Sequence, residues 1–468
     1  MPTFDRRNRQ DLDQLVEEFT TTSKINRRQF LKRATAAGLS LSAASALLEA
    51  CGGSSGPGGG GAGTKVSSID ALVVWSGSEL DTYNKVNALF KQKTGITVNV
   101  ETTRDLATVL NTRVRGNNPP AITASPGLNQ FRLLANEGKI VQLDKFFDMN
   151  AYQQNYAKAW IDLASVNGHL YAVTPTANSK GTVWYSPAQF QAHGYTVPST
   201  FNDLITLSNK IVSDGFYPWS MGVESGAASG WAAADWIDQI YMSANGPDMV
   251  DQWVNHKIPW TDPTVKNAFQ MFGEIAHGNH YINGAPQAIL ATPFQQACFP
   301  PYENPPKAFM FYLGDFAAGF IKAQFPSIKA GTDFNFFPFP TINSQYAGAL
   351  TGGADFLFAM VDNDGTREYM KFLASPDPQV IWVQAGGKSA TNKMVQLSQY
   401  PDDVARASAM QLTSATSFRA SPDDTMPNAM EQGSSGFWKG CLSYIQNAGQ
   451  LDSILSTLES TAKQAYGS

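Results

Sequence analysis

An aromatic ring and a carboxylate share one face of a helix predicted in the middle of the chain. Trp231 and Asp235 are four residues apart, and Trp236 follows directly. Sugars are bound by this combination, because their apolar C–H faces lie on aromatic rings and their hydroxyl groups donate to carboxylates. A hydrogen bond to a charged group contributes about 1.5–3 kcal/mol. The alternative is that Trp231 is a core residue and Asp235 a solvated or helix-capping acid.

Residues 71–127 alternate predicted strands and helices. Short apolar runs at 71–75, 96–100 and 121–124 predict strands, and Gly95 is expected to end the first of the helices between them. This order predicts a parallel sheet with helices on its faces. The middle of the chain continues as α/β, with a strand at 183–185 and a helix over 229–242.

Ligands of such sheets lie beyond the carboxyl ends of the strands. That rule selects the three loops that follow the strands and, within them, Trp75, Glu79, Arg104, Asp105 and Pro126. Glu224, near the middle of the chain, is a further charged candidate. For each lone charged loop residue the alternative is plain solvation.

The first 65 residues predict export and anchoring. Arg27-Arg28 precedes an apolar run of small residues over 34–48, which resembles a twin-arginine export signal and is too short to span a bilayer. The run ends at Leu-Glu-Ala-Cys51-Gly, similar to a bacterial lipobox with Cys51 as the lipidated residue. A Gly/Ser-rich stretch follows, so 1–51 is expected to be the signal and 52–65 a flexible tether.

Composition and motifs exclude several functions. The chain of 468 residues has a net charge of −5 and no basic stripe, which argues against nucleic acid as a partner. It has no Walker loop, nucleophile elbow or His-Glu-x-x-His helix, so we predict a binding protein rather than an enzyme, without cofactor or metal. His277 and His280 lack companions at zinc spacing, and Cys298 and Cys441 are either a disulfide or two buried thiols.

Many segments, in order, resemble the extracellular solute-binding proteins (family 1) of carbohydrate ABC importers. They are LFKQKTGI (89–96), NGHLYAVTP (167–175), VWYSP (183–187), GYTVPSTFNDL (194–204), GGADF (352–356) and YMKFLASPD (369–377). GFYPWSMGVESG (215–226), GWAAADWI (230–237) and DQWVNHKIP (251–259) are similar to the alpha-glucoside receptors. Two departures concern the sugar preference: Ala234 replaces the family's threonine, and the aromatic–acid pair expected after Arg419 is missing.

The resemblance implies a two-lobed α/β fold of the periplasmic-binding-protein type, with a hinge and an interlobe ligand cleft. Lobe 1 would comprise 66–176 and 350–388, and lobe 2 would comprise 177–349 and 389–468. The chain would cross between the lobes near 176–179, 350–353 and 387–390. The implied cleft combines the loop residues of lobe 1 and Asp355 with a set from lobe 2: Trp184, Glu224, Trp231, Asp235, Trp236 and Arg419.

The implied function is that of a monomeric, lipid-anchored receptor. It would capture a mono- or oligosaccharide, with an alpha-glucoside preferred, and deliver it to the permease subunits of an ABC importer. Two alternatives remain open. One is an extracytoplasmic carbohydrate-active enzyme that uses Glu224 and Asp235 as its carboxyl pair. The other is a peptide or anion receptor on the same fold.

Overall fold

The structure is a computed structural model that describes residues 66–125 and 127–467, with the backbone alone at Asn129. Arg27, Arg28, Cys51, the tether and Pro126 lie outside the described residues. Among the described residues, no helix combines the length and apolar character that a bilayer crossing requires.

The helices and strands follow in chain order. The first part contains β1 Ser68–Val73, α1 Gly77–Thr94, β2 Thr97–Thr102, α2 Leu106–Arg115, β3 Ile122–Ser125, α3 Leu128–Asn136, α4 Met149–Asn155, α5 Lys158–Leu163, β4 Ser165–Val166, β5 His169–Leu170, β6 Ala172–Val173 and β7 Thr176–Ser179. The middle part contains β8 Thr182–Tyr185, α6 Pro187–His193, α7 Phe201–Ser213, α8 Trp231–Asn245, α9 Pro247–Val254, α10 Pro263–Ala276, α11 Gln287–Ala291, β9 Met310–Tyr312, α12 Ala317–Gln324 and β10 Asn335–Pro338. The last part contains β11 Ala349–Ala354, β12 Phe356–Ala359, α13 Asp364–Ala374, α14 Pro376–Ala385, β13 Ser389–Ala390, α15 Asp403–Ser414, β14 Ser417–Ala420, α16 Pro422–Thr425, α17 Asn428–Glu431, α18 Phe437–Gln446 and α19 Leu451–Tyr466.

Lobe 1 is built on a five-stranded sheet in the order β2-β1-β3-β12-β6. β1 is parallel to both β2 and β3, which confirms the predicted parallel arrangement. β12 arrives from the far end of the chain and lies antiparallel between β3 and β6. Leu72, Phe90, Phe131 and Leu357 are among the residues of its buried core.

Two local signals in the sequence place the first helix. Gly95 adopts φ 79° at the C-cap of α1, and its N–H donates to the Lys91 carbonyl oxygen, so the helix ends where glycine was expected to end it. Tyr83, Val86 and Phe90, at helical spacing, are buried against the sheet side of the lobe.

Lobe 2 has its own core around α8 and an antiparallel sheet in the order β10-β8-β9. α8 is buried along most of its length, because Ala, Ile, Tyr and Met residues surround its axis. α7 begins with a capping box in which Thr200 and Asp203 exchange side-chain and backbone hydrogen bonds. Large rings fill the core, including Trp219, Trp236 and Phe437.

A third sheet lies where the chain passes between the two cores, in the order β13-β7-β11-β14. β7 is antiparallel to β13 and to β11, and β11 is parallel to β14. The three segments that the resemblance selects as crossings therefore pair with one another in a single sheet, which we call the hinge sheet.

Candidate functional site

A cavity of about 150 Å³ lies between the two cores, beside the hinge sheet. Its walls combine residues at the carboxyl ends of β1, β2 and β3 with the start of α8 and the segment 423–438. The loops that the rule for parallel sheets selects contribute Trp75, Glu79 and Arg104 to this lining.

The lobe 1 wall is a ring beside two carboxylates. The Trp75 Nε1–H donates to Asp355 Oδ2 at 3.2 Å. The Lys388 Nζ lies 2.9 Å from the same oxygen and 3.1 Å from Glu79 Oε1. Burial alone lowers the pKa of Lys388, but Asp355 and Glu79 outweigh it and raise that pKa above its ordinary value. The lysine is therefore charged and paired.

Arg104 joins the two walls. Its Nε and Nη2 donate to the Ser225 Oγ of lobe 2 at 3.1 and 2.7 Å, and its Nη1 donates to the Val74 carbonyl oxygen at 3.0 Å. The guanidinium also lies 5.5 Å from the ring centroid of Phe294 in lobe 2. Its donors are thus largely engaged by protein groups.

The lobe 2 wall carries an aromatic platform. Trp231, the first residue of α8, lines the cavity with its ring centroid 5.0 Å from that of Phe294 and 6.0 Å from that of Phe316. Its indole N–H has no hydrogen-bond partner within the described part of the chain. A ring that lines a cavity together with carboxylates suits a ligand with apolar C–H faces and hydroxyl groups.

Behind that platform, several carboxyl groups surround one buried lysine. The Lys180 Nζ lies 2.8 Å from Asp235 Oδ1 and 3.1 Å from Asp424 Oδ2. The Trp438 Nε1–H donates to Asp423 Oδ2 at 2.9 Å, and Glu431 lines the same wall. Burial by itself lowers the pKa of Lys180, but Asp235 and Asp424 raise it well above its ordinary value. Lys180 is charged, and its carboxyl neighbours outnumber it.

Burial keeps part of these acids protonated. It raises the pKa of Asp235 to about 7 and that of Asp424 to about 8, against the opposing effect of Lys180. Burial also raises the pKa of Glu431 well above its ordinary value, and Asp424 and Asp423 add to that shift. These buried acids therefore keep their protons to a higher pH than exposed acids do.

Carboxylate oxygens of Asp235, Asp238 and Asp423 lie within 4.8 Å of one another, a spacing that could hold a metal ion. The ammonium of Lys180 already bonds to Asp235, and the Asp423 backbone N–H donates to Asp238 at 3.1 Å. Lys180 supplies a positive charge beside this cluster, so its residues fit a lysine-paired group of acids better than a metal centre.

The structure brings together five of the predicted site residues at the cavity: Trp75, Glu79, Arg104, Trp231 and Asp355. The predicted position of Asp235 is corrected, because its side chain is fully buried behind the wall and bonds to Lys180 instead of lining the cavity. Trp184 and Trp236 are also corrected. They are 1 % and 2 % exposed, belong to the lobe 2 core, and lie outside the cavity.

Three charged candidates lie elsewhere in the structure and are corrected too. Asp105 occupies the N-cap of α2 without a side-chain capping bond. Glu224 accepts a hydrogen bond from the Gly226 backbone N–H at 2.8 Å. Arg419 forms a two-point ion pair with Asp251 on α9, with both N–O distances 2.7 Å. Protein contacts thus engage Glu224 and Arg419, and all three residues lie outside the cavity lining.

The structure adds residues that sequence reasoning did not select. They are Lys180, Lys388, Gln130, Phe294, Phe316, Asp423, Glu431 and Trp438. A buried lysine has no local sequence signature, and its partners here lie up to 309 positions away along the chain, as between Glu79 and Lys388. Of these added residues, only Asp423, which is adjacent to Asp424, belongs to a pattern that is visible in the sequence itself.

No cysteine or histidine of residues 66–467 lines the cavity. Cys298 and Cys441 are buried free thiols, so the disulfide alternative does not apply. The His277 Nε2 contacts the Tyr444 carbonyl oxygen at 3.1 Å, in a separate surface region that also contains His280.

Two α/β lobes, a hinge sheet and a cavity between the lobes define a two-lobed solute-binding protein. The chain matches the bacterial extracellular solute-binding protein family over residues 76–380. It belongs to that family.

Named relatives support this membership. The osmoprotective compounds-binding protein GgtB of Synechocystis sp. is 32% identical over 84% of this chain and 91% of its own length. The alpha-glucosides-binding periplasmic protein AglE of Rhizobium meliloti is 28% identical over 81% of this chain and 83% of its own. The solved structure of the bacterial solute receptor AcbH superposes with a TM-score of 0.74 at 20% identity, covering 85% of this chain and 99% of AcbH. The last comparison concerns the fold alone.

Proposed function

We propose that this chain is the monomeric substrate-binding component of an ABC importer and that it captures a neutral mono- or oligosaccharide, with an alpha-glucoside preferred. The observation that carries the proposal is the interlobe cavity, in which the Trp231 ring faces the same space as Glu79, Asp355 and Asp423. Rings pack against sugar C–H faces, and carboxylates accept from hydroxyl groups. By their names, GgtB binds osmoprotective compounds and AglE binds alpha-glucosides, and the name of AglE supports an alpha-glucoside as the ligand.

The proposed lobes are 66–176 with 350–388 and 177–349 with 389–468. Rotation about the hinge sheet would close them over the ligand, and the closed form would dock on the permease. Arg104 of lobe 1 bonds to Ser225 of lobe 2. This contact would therefore contribute both to the closure of the lobes and to the binding of the ligand.

Two alternative functions are less well supported. An anion receptor would need free cationic donors, whereas Arg104, Lys180 and Lys388 are all engaged by protein groups. A hydrolase would need two carboxyl groups flanking a bond, whereas Asp235 is fully buried and Glu224 is outside the cavity lining.

A thermal-shift screen of the full chain in mild detergent tests the function. The panel contains glucose, galactose, maltose, sucrose, trehalose and raffinose, with glucuronate and a tripeptide as comparison ligands. A sugar at 100 times its Kd should add about 2.7 kcal/mol to the free energy of unfolding. Stabilisation by glucuronate or by the tripeptide alone would contradict the proposal.

We also propose that Cys51 carries the lipid anchor after twin-arginine export. Cys51→Ser is expected to release the receptor from the membrane fraction while its melting temperature and sugar binding stay unchanged, because the tether separates anchor and domain. Cell fractionation followed by immunoblotting measures the release, with Cys298→Ser as the matched control. A Cys51→Ser protein that stays wholly in the membrane pellet would refute the anchor.

A further inference from the structure

Lys388 is a buried charge at the hinge. It directly precedes β13, is 7 % exposed, and lines the cavity. Burying an ammonium group is unfavourable unless opposite charges compensate it. Its neighbours therefore define what this lysine does.

The neighbours of Lys388 come from separate elements of lobe 1. Glu79 stands on α1, and Asp355 stands between β11 and β12. The Nζ atom lies 3.1 Å from Glu79 Oε1 and 2.9 Å from Asp355 Oδ2, and 5.2 Å from the Trp75 ring centroid. Each carboxylate thus gives one oxygen to the lysine.

The second oxygen of each carboxylate is available. No described donor bonds to Asp355 Oδ1 or Glu79 Oε2, although both residues line the cavity. An ionised carboxylate can accept about four hydrogen bonds. Two carboxylates at one cation would repel each other and separate if that cation were removed.

We propose that Lys388 is a positioning residue that fixes Glu79 and Asp355 as a preset pair of acceptors for two hydroxyl groups of the ligand. The inference rests on the proposed sugar-binding function. It adds that the ligand presents adjacent hydroxyl groups to lobe 1 and that the hinge lysine acts through the carboxylates instead of through its own contact with the ligand.

A double-mutant cycle tests this mechanism. The Kd of the full chain is measured by calorimetry in mild detergent for maltose, sucrose or trehalose, whichever stabilises the wild type most. Asp355→Asn and Lys388→Met are each expected to weaken binding by about tenfold or more. The double variant is expected to lose no more than about threefold beyond either single variant, because the two residues act as one unit.

Two further variants separate positioning from general structural damage. Lys388→Arg retains the charge and is expected to stay within about threefold of the wild-type Kd. Lys322→Met removes another lysine–aspartate pair, the 2.5 Å contact with Asp402 outside the cavity lining, and should leave the Kd within about twofold. If Lys388→Met does not fold, Lys388→Gln replaces it in the cycle, because its amide can still donate to one carboxylate.

The outcomes are distinct. The inference is overturned if Lys388→Met or Lys388→Gln binds the sugar with wild-type affinity. It is also overturned if the affinity losses of the two single variants multiply in the double variant, or if Lys388→Arg weakens binding as much as Lys388→Met does. A panel in which no sugar binds the wild type overturns the proposed function and this inference with it. A sugar that binds the wild type while the cycle is additive overturns the inference alone.

Discussion

At the scale of single residues, Trp231 and Trp236 differ in role: Trp231 is proposed to stack against the ligand, and Trp236 belongs to the core. It is partly buried against Phe294 and Phe316, yet it lines the cavity, whereas Trp236, five positions later, is a core residue. Trp231→Ala is expected to weaken sugar binding more than tenfold with a modest loss of stability. Trp236→Ala removes core volume and should cost about 3–5 kcal/mol of stability.

Calorimetry for affinity and chemical denaturation for stability compare the two variants. The stacking role is excluded if Trp231→Ala unfolds as easily as Trp236→Ala while its folded fraction binds sugar normally.

The protonated acids of lobe 2 predict a dependence of stability on pH. Unfolded aspartates titrate near pH 3.9, roughly, whereas the folded pKa values of Asp235 and Asp424 are about 7 and about 8. Between these values the folded state binds more protons than the unfolded state, so stability falls as pH rises from about 4 to about 8. Asp315, with a folded pKa raised by burial to about 7, adds to the same trend.

Asp424→Asn isolates one of these groups. The amide resembles the protonated acid, so the variant should melt close to the wild type at pH 5 and clearly above it at pH 9. Thermal unfolding at pH 5, 7 and 9 provides the measurement. Parallel melting curves against pH for the two proteins would mean that Asp424 is ionised in the folded state throughout.

The sequence could predict a residue's chemistry more readily than its surroundings. Trp75, Glu79 and Arg104 were found because they follow strands of a parallel sheet, a position that local patterns specify. Trp184 and Asp235 have the same residue types as true cavity residues, and only the tertiary packing assigns them to the core and to Lys180. Lys388 was not predicted, since distant segments create its environment.

At the scale of elements, the packing of the hinge sheet depends on the adjacent glycines Gly352 and Gly353 in β11. A Cβ atom on Gly352 of β11 would lie 2.5 Å from the Asn178 carbonyl oxygen of β7 and 2.7 Å from a ring carbon of Phe418 on β14. Gly352→Ala is therefore expected to force the neighbouring strands apart and to cost about 1–3 kcal/mol. Denaturant unfolding measures the loss.

Gly319 on α12 is the matched control for the same chemical change. Its added Cβ would meet neighbours at 3.6 Å or more, which is ordinary contact. Gly319→Ala should stabilise the protein by up to about 1 kcal/mol, because alanine favours the helix. Equal stability changes in the two variants would show that the hinge sheet tolerates a side chain at Gly352.

Elements with strong local signals were predictable, and elements completed by remote partners were less so. The alternation of residues 71–127 predicted the parallel strands, and Gly95 predicted the helix end. Residues 349–360 form a nearly continuous apolar run in the sequence, but the structure divides the run at Asp355 into β11 and β12, which belong to different sheets. That bend places Asp355 in the cavity wall.

At the scale of the whole molecule, side-chain hydrogen bonds join lobe 1 to lobe 2 near the cavity. Besides Arg104 with Ser225, the Gln295 Nε2 donates to Ser76 Oγ at 3.2 Å and the Asn428 Nδ2 donates to Gln130 Oε1 at 2.6 Å. Ser225→Ala removes the acceptor of a charged donor, a contact worth about 1.5–3 kcal/mol. Sugar affinity should fall about tenfold, and the ligand-free protein should become more extended.

Small-angle scattering and calorimetry measure these two effects. Ser213→Ala, which removes an exposed hydroxyl that bonds to the Lys210 carbonyl oxygen within lobe 2, is the control. Unchanged affinity and radius of gyration in Ser225→Ala would mean that the Arg104–Ser225 contact does not hold the lobes together.

The insertion of β12 between β3 and β6 has a consequence for how the protein is made. The ribosome releases β3 and β6 long before β12, because roughly 180 residues separate Val173 from Phe356. At roughly 5–20 residues per second, the nascent chain carries two open sheet edges for about 10–35 s. Unpaired edges invite association with other chains. The first lobe is therefore exposed to association with other chains during synthesis until the late strand emerges and completes its sheet.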